Sequence, residues 1–147
     1  MKDITIRVYG IWIDEHARVL ISDERIGQFE FTKFPGGGLE HGEGTHDTLH
    51  REWAEELNMP IQITRHYYTT DICQWSAFKP NTQVISIYYR VEPQGEPGTK
   101  IHTEKQAFTY QGDREEYFRW VYLDDLTPNM MTFPIDKKIV SSLLSNY

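Results

Sequence analysis

Alternation of apolar and polar side chains along most of the chain predicts a fold rich in β-strands. The alternating segments contain many β-branched and aromatic residues, which strands favour. They lie at residues 4–13, 19–22, 27–34, 61–70, 83–91 and 117–123. The first two follow one another across a short turn, so we expect them to pair as a hairpin. The run at 83–91 is the strongest, and we expect it to form the middle of a mixed sheet together with 61–70.

Apolar residues at helical spacing predict two helices, one after a glycine-rich segment and one near the end of the sequence. Thr45 is a good candidate for the N-cap of the first helix, and Asn58 and Pro60 end it. The core-facing ridge of the first helix is Leu49, Trp53 and Leu57, and that of the second is Ile135, Ile139, Val140, Leu143 and Leu144. Two helices in a β-rich chain imply an α/β fold whose sheet is covered on both faces.

The first helix carries an acidic face beside its apolar ridge. Glu52, Glu55 and Glu56 project together at i, i+3 and i+4, and like charges at this spacing destabilise a helix. Arg51, four residues before Glu55, is placed to offset them locally. A hard divalent cation such as Mg²⁺ or Mn²⁺ would neutralise these carboxylates better. A solvated acidic face is the alternative for the three residues alone.

The glycine-rich segment before the helix favours the metal interpretation. Pro35 and the glycines at 36–38 form a predicted turn whose bare backbone can approach a ligand closely. Its carbonyl groups can bind a metal, and its N–H groups can meet oxyanions. The segment lacks the Gly-Lys-Ser/Thr ending of a P-loop, and its helix carries acids where a dinucleotide fold would hold pyrophosphate. We therefore expect a cation between phosphate and protein.

The spacing of glycine and charged residues over 37–59 resembles the signature box of the Nudix hydrolases. The matching positions are Gly37, Glu43, Arg51, Glu52, Glu55 and Glu56. Trp53 departs from the pattern because it stands where the family has an aliphatic residue, and Asn58 departs because it stands where the family has glycine. Trp53 is still apolar, and Asn commonly replaces Gly in a left-handed helix cap, so neither change removes chemistry.

The resemblance implies a single domain over 1–147 with a Nudix-type α/β/α sandwich, in which a mixed β-sheet lies between helices. It also implies metal-dependent hydrolysis of a phosphoanhydride bond, with Mg²⁺ or Mn²⁺ as cofactor. Glu52 and Glu56 would be the principal metal ligands, and Glu52 would also be a catalytic base. Glu55 and the Gly36 carbonyl would join when more than one ion binds.

The resemblance assigns a supporting role to two further residues of the box. Glu43 and Arg51 would hold the glycine segment and the carboxylates in place by hydrogen bonds. An ordinary i, i+4 ion pair of Arg51 with Glu55 is compatible with that role. Several branches of the family use another carboxylate outside the box as metal ligand or base. The candidates are Glu104, Asp113, Glu115 and Glu116, of which the last two are preferred and have a solvated turn as their alternative.

A nucleobase would need an aromatic or apolar slot. Tyr68, Trp75 and Phe78 follow the first helix and are candidates for stacking on a base, although aromatic residues at this density mostly fill cores. His41 lies in the glycine loop, where it either contacts substrate or is simply exposed. The six histidines show no spacing typical of a zinc site.

The composition limits which partners the protein can bind and in which cellular compartment we expect it. A formal net charge of −7 over 147 residues argues against nucleic acid or an anionic membrane, which require clustered Lys and Arg. Cys73 is the single cysteine, and no segment has the pattern of a secretory signal or a membrane span. We expect a cytoplasmic protein that acts on a small nucleotide, and a homodimer is left open.

The box does not choose among substrates, because it binds the phosphates that they share. Nucleoside triphosphates, ADP-ribose and dinucleoside polyphosphates all fit. The alternative function is a catalytically silent nucleotide-sensing module of the same fold, which usually accompanies loss of box carboxylates, and none is lost here. A related enzyme acting on a non-nucleotide, by isomerisation or phosphohydrolysis, is a third interpretation.

Overall fold

A computed structural model of the chain describes residues 3–146. Over that range the chain forms eight strands and two α-helices, with one short 3₁₀ helix at Pro128–Met130. The strands are β1 (Asp3–Ile11), β2 (Arg18–Ile26), β3 (Phe29–Lys33), β4 (Gly36–Gly38), β5 (Ile61–Thr69), β6 (Thr82–Pro93), β7 (Ile101–His102) and β8 (Arg114–Tyr122). The helices are α1 (Thr45–Leu57) and α2 (Pro134–Ser145). The predicted α/β class, with mixed sheets and two helices, is confirmed.

The described residues divide into two compact units. The first unit comprises residues 3–11 and 36–98, and the second comprises 12–35 and 99–146. In the first unit the sheet has the strand order β4-β1-β6-β5. β1 runs parallel to β6 and antiparallel to β4, whereas β5 pairs antiparallel with β6. Strand β1 therefore has hydrogen-bonded neighbours on both edges, as expected from its almost wholly buried second half.

The second unit has its own four-stranded sheet, in the order β3-β2-β8-β7. Its first three strands are antiparallel, and the two-residue β7 joins β8 in parallel. Helix α2 belongs to this unit, and its predicted stripe is buried at Ile135, Ile139, Val140 and Leu143. None of the helices within residues 3–146 is both long and apolar enough to cross a membrane.

The hairpin predicted for residues 4–13 and 19–22 is wrong. β1 and β2 belong to different sheets, because both edges of β1 are taken by β4 and β6. An isolated bridge between Ile13 and Val19 remains of the predicted pairing. The placement of both 61–70 and 83–91 in the middle of a sheet is half right: β6 is internal, whereas β5 is an edge strand.

Two predicted boundaries shift, and one predicted turn is a strand. The strand predicted from residue 27 begins at Phe29, since Gly27 has a φ of +58° and forms the turn before it. The last strand begins at Arg114, three residues earlier than predicted. The glycine-rich segment is not a turn but the short strand β4, which pairs with β1.

Helix α1 begins one residue earlier than predicted. The N-cap is Gly44, not Thr45, and its N–H donates to the carboxylate of Asp47 at 2.8 Å. The hydroxyl of Thr45 instead lies 2.7 Å from that of Tyr89. The predicted end is confirmed, because Asn58 caps the helix in a left-handed conformation with φ 48° and ψ 49°. The apolar ridge is buried at all three positions: Leu49, Trp53 and Leu57.

Candidate functional site

Strand β4 brings bare backbone close to β1. Tyr9 pairs with Gly36 and Val8 pairs with Gly37. A Cβ at Gly36 would lie 2.0 Å from the carbonyl oxygen of Val8, and Gly36 has a φ of +153°. Because the obstacle is backbone and the conformation is one that side chains rarely adopt, this position requires glycine.

The next glycine makes room for a carboxylate from α1. A Cβ at Gly37 would lie 2.4 Å from both Cδ and Oε1 of Glu52. The Glu52 side chain is only 14% exposed. The first glycine of the predicted box therefore lies directly against its first helical carboxylate, which links β4 to α1 at the site.

Arg51 joins the loop before α1 to the glycine strand. Its Nε donates to Glu43 Oε2 at 2.6 Å and its Nη2 donates to Glu43 Oε1 at 3.0 Å, so the contact is a two-pronged ion pair. The same Nη2 donates to the carbonyl oxygen of Gly38 at 3.0 Å. One guanidinium thus fixes the end of β4 and the loop carboxylate together.

The remaining guanidinium nitrogen of Arg51, Nη1, contacts the acidic face of α1. Nη1 donates to Glu52 Oε1 at 3.0 Å and to Glu55 Oε2 at 3.4 Å. Both contacts expected of Arg51, the network with Glu43 and the i, i+4 pair with Glu55, are present together. Hydrogen bonds to Glu43 raise the pKa of Arg51 further above its already high value, which keeps the side chain charged.

Glu43 is held as a carboxylate by several donors. The hydrogen bond from Arg51 contributes most and, against the opposing effect of desolvation, lowers the pKa of Glu43 to about 2. The backbone N–H of Glu40 donates to Glu43 Oε1 at 3.0 Å and the hydroxyl of Thr48 donates to it at 2.9 Å. Sequence reasoning missed both partners, because a buried Thr in a helix and a backbone N–H in a loop carry no pattern of their own.

The donor set of α1 fits a hard divalent cation. Glu52, Glu55 and Glu56 would supply carboxylate oxygens from one helix. The Glu52 carboxylate lies against the glycine backbone of β4, where it occupies the place that a Cβ of Gly37 would take. Across residues 3–146, no three His, Cys, Asp or Glu side chains are already gathered as a metal site. Arg51 instead bridges Glu52 and Glu55.

Comparison of the chain with protein-family models identifies its family. The model of the NUDIX domain matches residues 3–143, nearly the whole chain. This protein belongs to the Nudix family. The resemblance of its box is therefore confirmed, and the chain is a Nudix-type pyrophosphohydrolase.

Several solved structures share the fold at low sequence identity. The E. coli ORF135 protein has a TM-score of 0.69 and 16% identity, with 98% of this chain and 91% of that chain covered. A MutT Nudix hydrolase from Burkholderia pseudomallei has a TM-score of 0.70 and 18% identity, over 95% and 98%. A MutT protein from Methanosarcina mazei Go1 has a TM-score of 0.67 and 17% identity, over 99% and 95%. No curated protein matches the chain by sequence comparison.

Outside the Nudix box, Glu115 is fully engaged within the second unit. Its carboxylate accepts hydrogen bonds from Arg25 Nε at 2.5 Å and from the backbone N–H and hydroxyl of Thr109, both at 2.8 Å. Desolvation alone would raise the pKa of Glu115, but these donors hold it at about 2. This carboxylate therefore has a structural role that a solvated turn would not provide.

Glu116, the other preferred candidate outside the box, lies in β8 directly opposite Glu24 of β2. Burial, followed by the charge of Glu24, raises the pKa of Glu116 to about 8. Lys33 Nζ lies 3.0 Å from Glu24 Oε2, and its charge offsets the effect only in part. The solvated-turn alternative is thus wrong for Glu116 as well. The remaining two candidates, Glu104 and Asp113, are exposed.

The aromatic candidates for stacking belong to the first unit. Tyr68 lies in β5, and Trp75 and Phe78 lie between β5 and β6. Trp75 is 67% exposed and Phe78 is 47% exposed. Tyr68 donates its hydroxyl to Asp71 at 2.6 Å. Cys73 on the same segment is a free, exposed thiol. His41 is exposed in the loop before α1, as its alternative interpretation held.

Proposed function

We propose that this Nudix protein hydrolyses a phosphoanhydride bond in a small nucleotide, a nucleoside diphosphate linked to another group. Nucleoside triphosphates, ADP-ribose and related compounds are the substrate class. The observation that carries the proposal is the set of contacts of Arg51, which ties Glu43, the Gly38 carbonyl and the carboxylates of Glu52 and Glu55 into one network. Residues 1–147 would act as a single Nudix domain.

The residues that would hold Mg²⁺ or Mn²⁺ are Glu52 and Glu55 of that network, together with Glu56 and the carbonyl of Gly36. When bound, such a cation supplies positive charge to phosphate oxygens and makes a coordinated water more acidic. The formal charge of −7 makes that supply necessary, since an acidic protein would otherwise repel a polyphosphate. Gly36 precedes Gly37 in β4, and Gly37 lies directly against the Glu52 carboxylate.

Each box residue has a separate task in the proposed reaction. Glu52 accepts the proton of the attacking water at its carboxylate, which can lie against β4 because Gly37 has no Cβ. Arg51 orients that carboxylate through the 3.0 Å hydrogen bond to Oε1. Glu43 in turn fixes Arg51, and its depressed pKa keeps it ionised throughout the neutral range. Positioning of this kind is the main contribution a protein makes to phosphoryl transfer.

The experiment is a substrate screen with matched variants. The purified protein is incubated with Mg²⁺ and a panel of nucleoside triphosphates, ADP-ribose and dinucleoside polyphosphates. Released phosphate or pyrophosphate is measured after coupling to a phosphatase, because hydrolysis of ADP-ribose or a dinucleoside polyphosphate yields phosphate monoesters and no free phosphate. Turnover that is lost in Glu52→Gln supports the proposal. Nucleotide binding without turnover across the whole panel would instead support the sensing module and overturn the proposal of hydrolysis.

A further inference from the structure

Gly10, which lies outside the Nudix box, packs against Trp53 inside the box. Gly10 lies in β1, next to Tyr9, and pairs with Tyr89 of β6. A Cβ at this position would lie 2.7, 2.8 and 2.9 Å from Cζ2, Cε2 and Nε1 of Trp53. The indole edge of Trp53 therefore occupies the place where the side chain of residue 10 would be.

Trp53 is the residue at which the box departs from an aliphatic side chain. It is 1% exposed, in the middle of α1, and lies between Glu52 and Glu55 in sequence. An indole is much larger than a leucine or valine side chain, and a close-packed core accepts extra volume only if a neighbour gives way. Here the neighbour is residue 10, which has no side chain.

We infer that Gly10 is a positioning residue, and that the Gly10–Trp53 contact sets the position of α1 and its carboxylates against the glycine strand. Two successive helix residues are seated on glycines of adjacent strands: Glu52 on Gly37 of β4, and Trp53 on Gly10 of β1. Together the two contacts fix the distance of α1 from strands β1 and β4 and its rotation about its own axis. The inference rests on the proposed function, because it assigns these contacts to the placement of metal ligands.

The size of the effect follows from the distances. An ordinary contact starts at 3.4 Å, so a methyl group at residue 10, 2.7 Å from the indole, forces a separation of at least about 0.7 Å. The indole is a rigid ring and cannot fold away as the end of a flexible side chain would. Since active groups must be held to about 0.5 Å, and a 1 Å displacement commonly costs about 100-fold in rate, the carboxylates should lose both metal affinity and activity.

The test compares Gly10→Ala in two backgrounds, with Trp53 and with Trp53→Leu, and measures Mn²⁺ affinity by electron paramagnetic resonance. Gly10→Ala should weaken Mn²⁺ binding at least about 10-fold when Trp53 is present and less than about threefold when Leu replaces it. Gly95→Ala is the control, because its Cβ meets only the ring of Pro60, at 3.2 and 3.4 Å. Unchanged Mn²⁺ affinity in Gly10→Ala, or an equal loss in both backgrounds, overturns the inference.

A second variant keeps the inference testable if Gly10→Ala does not fold. Trp53→Phe withdraws the indole edge from Gly10 without adding an atom, and should by itself weaken Mn²⁺ binding at least about threefold. Unchanged affinity in that variant contradicts the inference. If the parent protein takes up no Mn²⁺, the proposed function fails, and crystal structures then decide the inference. α1 displaced relative to Gly37 in Gly10→Ala, or in Trp53→Phe, supports it, and an unmoved α1 refutes it.

Discussion

Glu43 and Arg51 meet through two hydrogen bonds, at 2.6 and 3.0 Å, although seven residues separate them in sequence. The pair spans the loop before α1 and the middle of the helix itself. Its geometry is that of a guanidinium fork on a carboxylate, which a lysine cannot reproduce. Three predictions test this network and the proposed metal site, and a fourth concerns Glu116 of the second unit.

Arg51→Lys should lower kcat/KM and metal affinity by about 10–100-fold while the protein remains folded. Lysine keeps the charge but cannot reach Glu43, Gly38 and Glu52 at once, so the carboxylates lose their common anchor. Steady-state kinetics and Mn²⁺ titration measure the two effects. Arg65→Lys, on the exposed face of β5, is the matched control and should leave both unchanged. Wild-type metal affinity in Arg51→Lys would contradict the assigned role.

Glu56→Gln should lower activity by about 10²–10⁴-fold, because it removes a charge from the proposed metal site while it preserves size and helix propensity. Relief of repulsion on α1 should leave the folded state as stable as before, or slightly more so. The rate at saturating Mg²⁺ and a thermal melt provide the two measurements. Glu96→Gln makes the same change at an exposed position of the first unit and should have no effect. Parental activity in Glu56→Gln would show that the ligand assignment is wrong.

Gly36→Ala and Gly37→Ala should separate folding from catalysis. At Gly36 the new Cβ meets the backbone of Val8 at 2.0 Å, so that variant should be destabilised by about 3 kcal/mol or more. At Gly37 it meets the carboxylate of Glu52, which can swing away, so the protein should fold but lose activity by about 10–100-fold. Chemical denaturation and kinetics distinguish the two outcomes. Equal stability of the two variants would refute this prediction.

Stability should fall as pH rises from about 4.5 to about 8, through Glu116. Its pKa is raised from 4.5 to about 8 in the folded protein, so the folded chain binds a proton that the unfolded chain releases in this interval. The stability that this proton contributes is complete below pH 4.5 and is lost as pH passes 8, with a loss on the order of 5 kcal/mol. Glu24, Lys33 and Arg114 are the charged groups around it.

Denaturant unfolding between pH 5 and 9 measures this slope in the parent and in Glu116→Gln. Glutamine is neutral at every pH, so the variant should show a flatter profile and exceed the parent at pH 9. Glu104→Gln, exposed in the second unit, should reproduce the parental profile. The same slope in Glu116→Gln as in the parent would exclude Glu116 as its source.

The helical part of the candidate site could be predicted from the sequence because its carboxylates lie on one helix. The spacing of Glu52, Glu55 and Glu56 determines their common face whatever surrounds the helix, and Asn58 carries its own conformational preference. The buried ridge of α1 was predictable for the same reason. Local periodicity was sufficient wherever the decisive contacts lie within one helical segment.

Strand partners could not be predicted, because alternation identifies a strand without identifying its neighbour. Residues 4–13 and 19–22 have the pattern of a hairpin, yet β1 pairs instead with β6, more than seventy residues later in the chain. The glycines of β4 gave the appearance of a turn for a similar reason, since nothing local shows that β1 lies beside them. Gly10 gave no signal at all, because its importance depends on an indole that packs against it from α1.

The position of Cys73 gives the protein a practical property. It is the only cysteine in the sequence, and its thiol is exposed in the first unit. A nitroxide or fluorescent maleimide will therefore attach at one defined place without any prior removal of other thiols. Paramagnetic broadening between such a nitroxide and Mn²⁺ would report how far the ion lies from this segment, in solution and without a crystal.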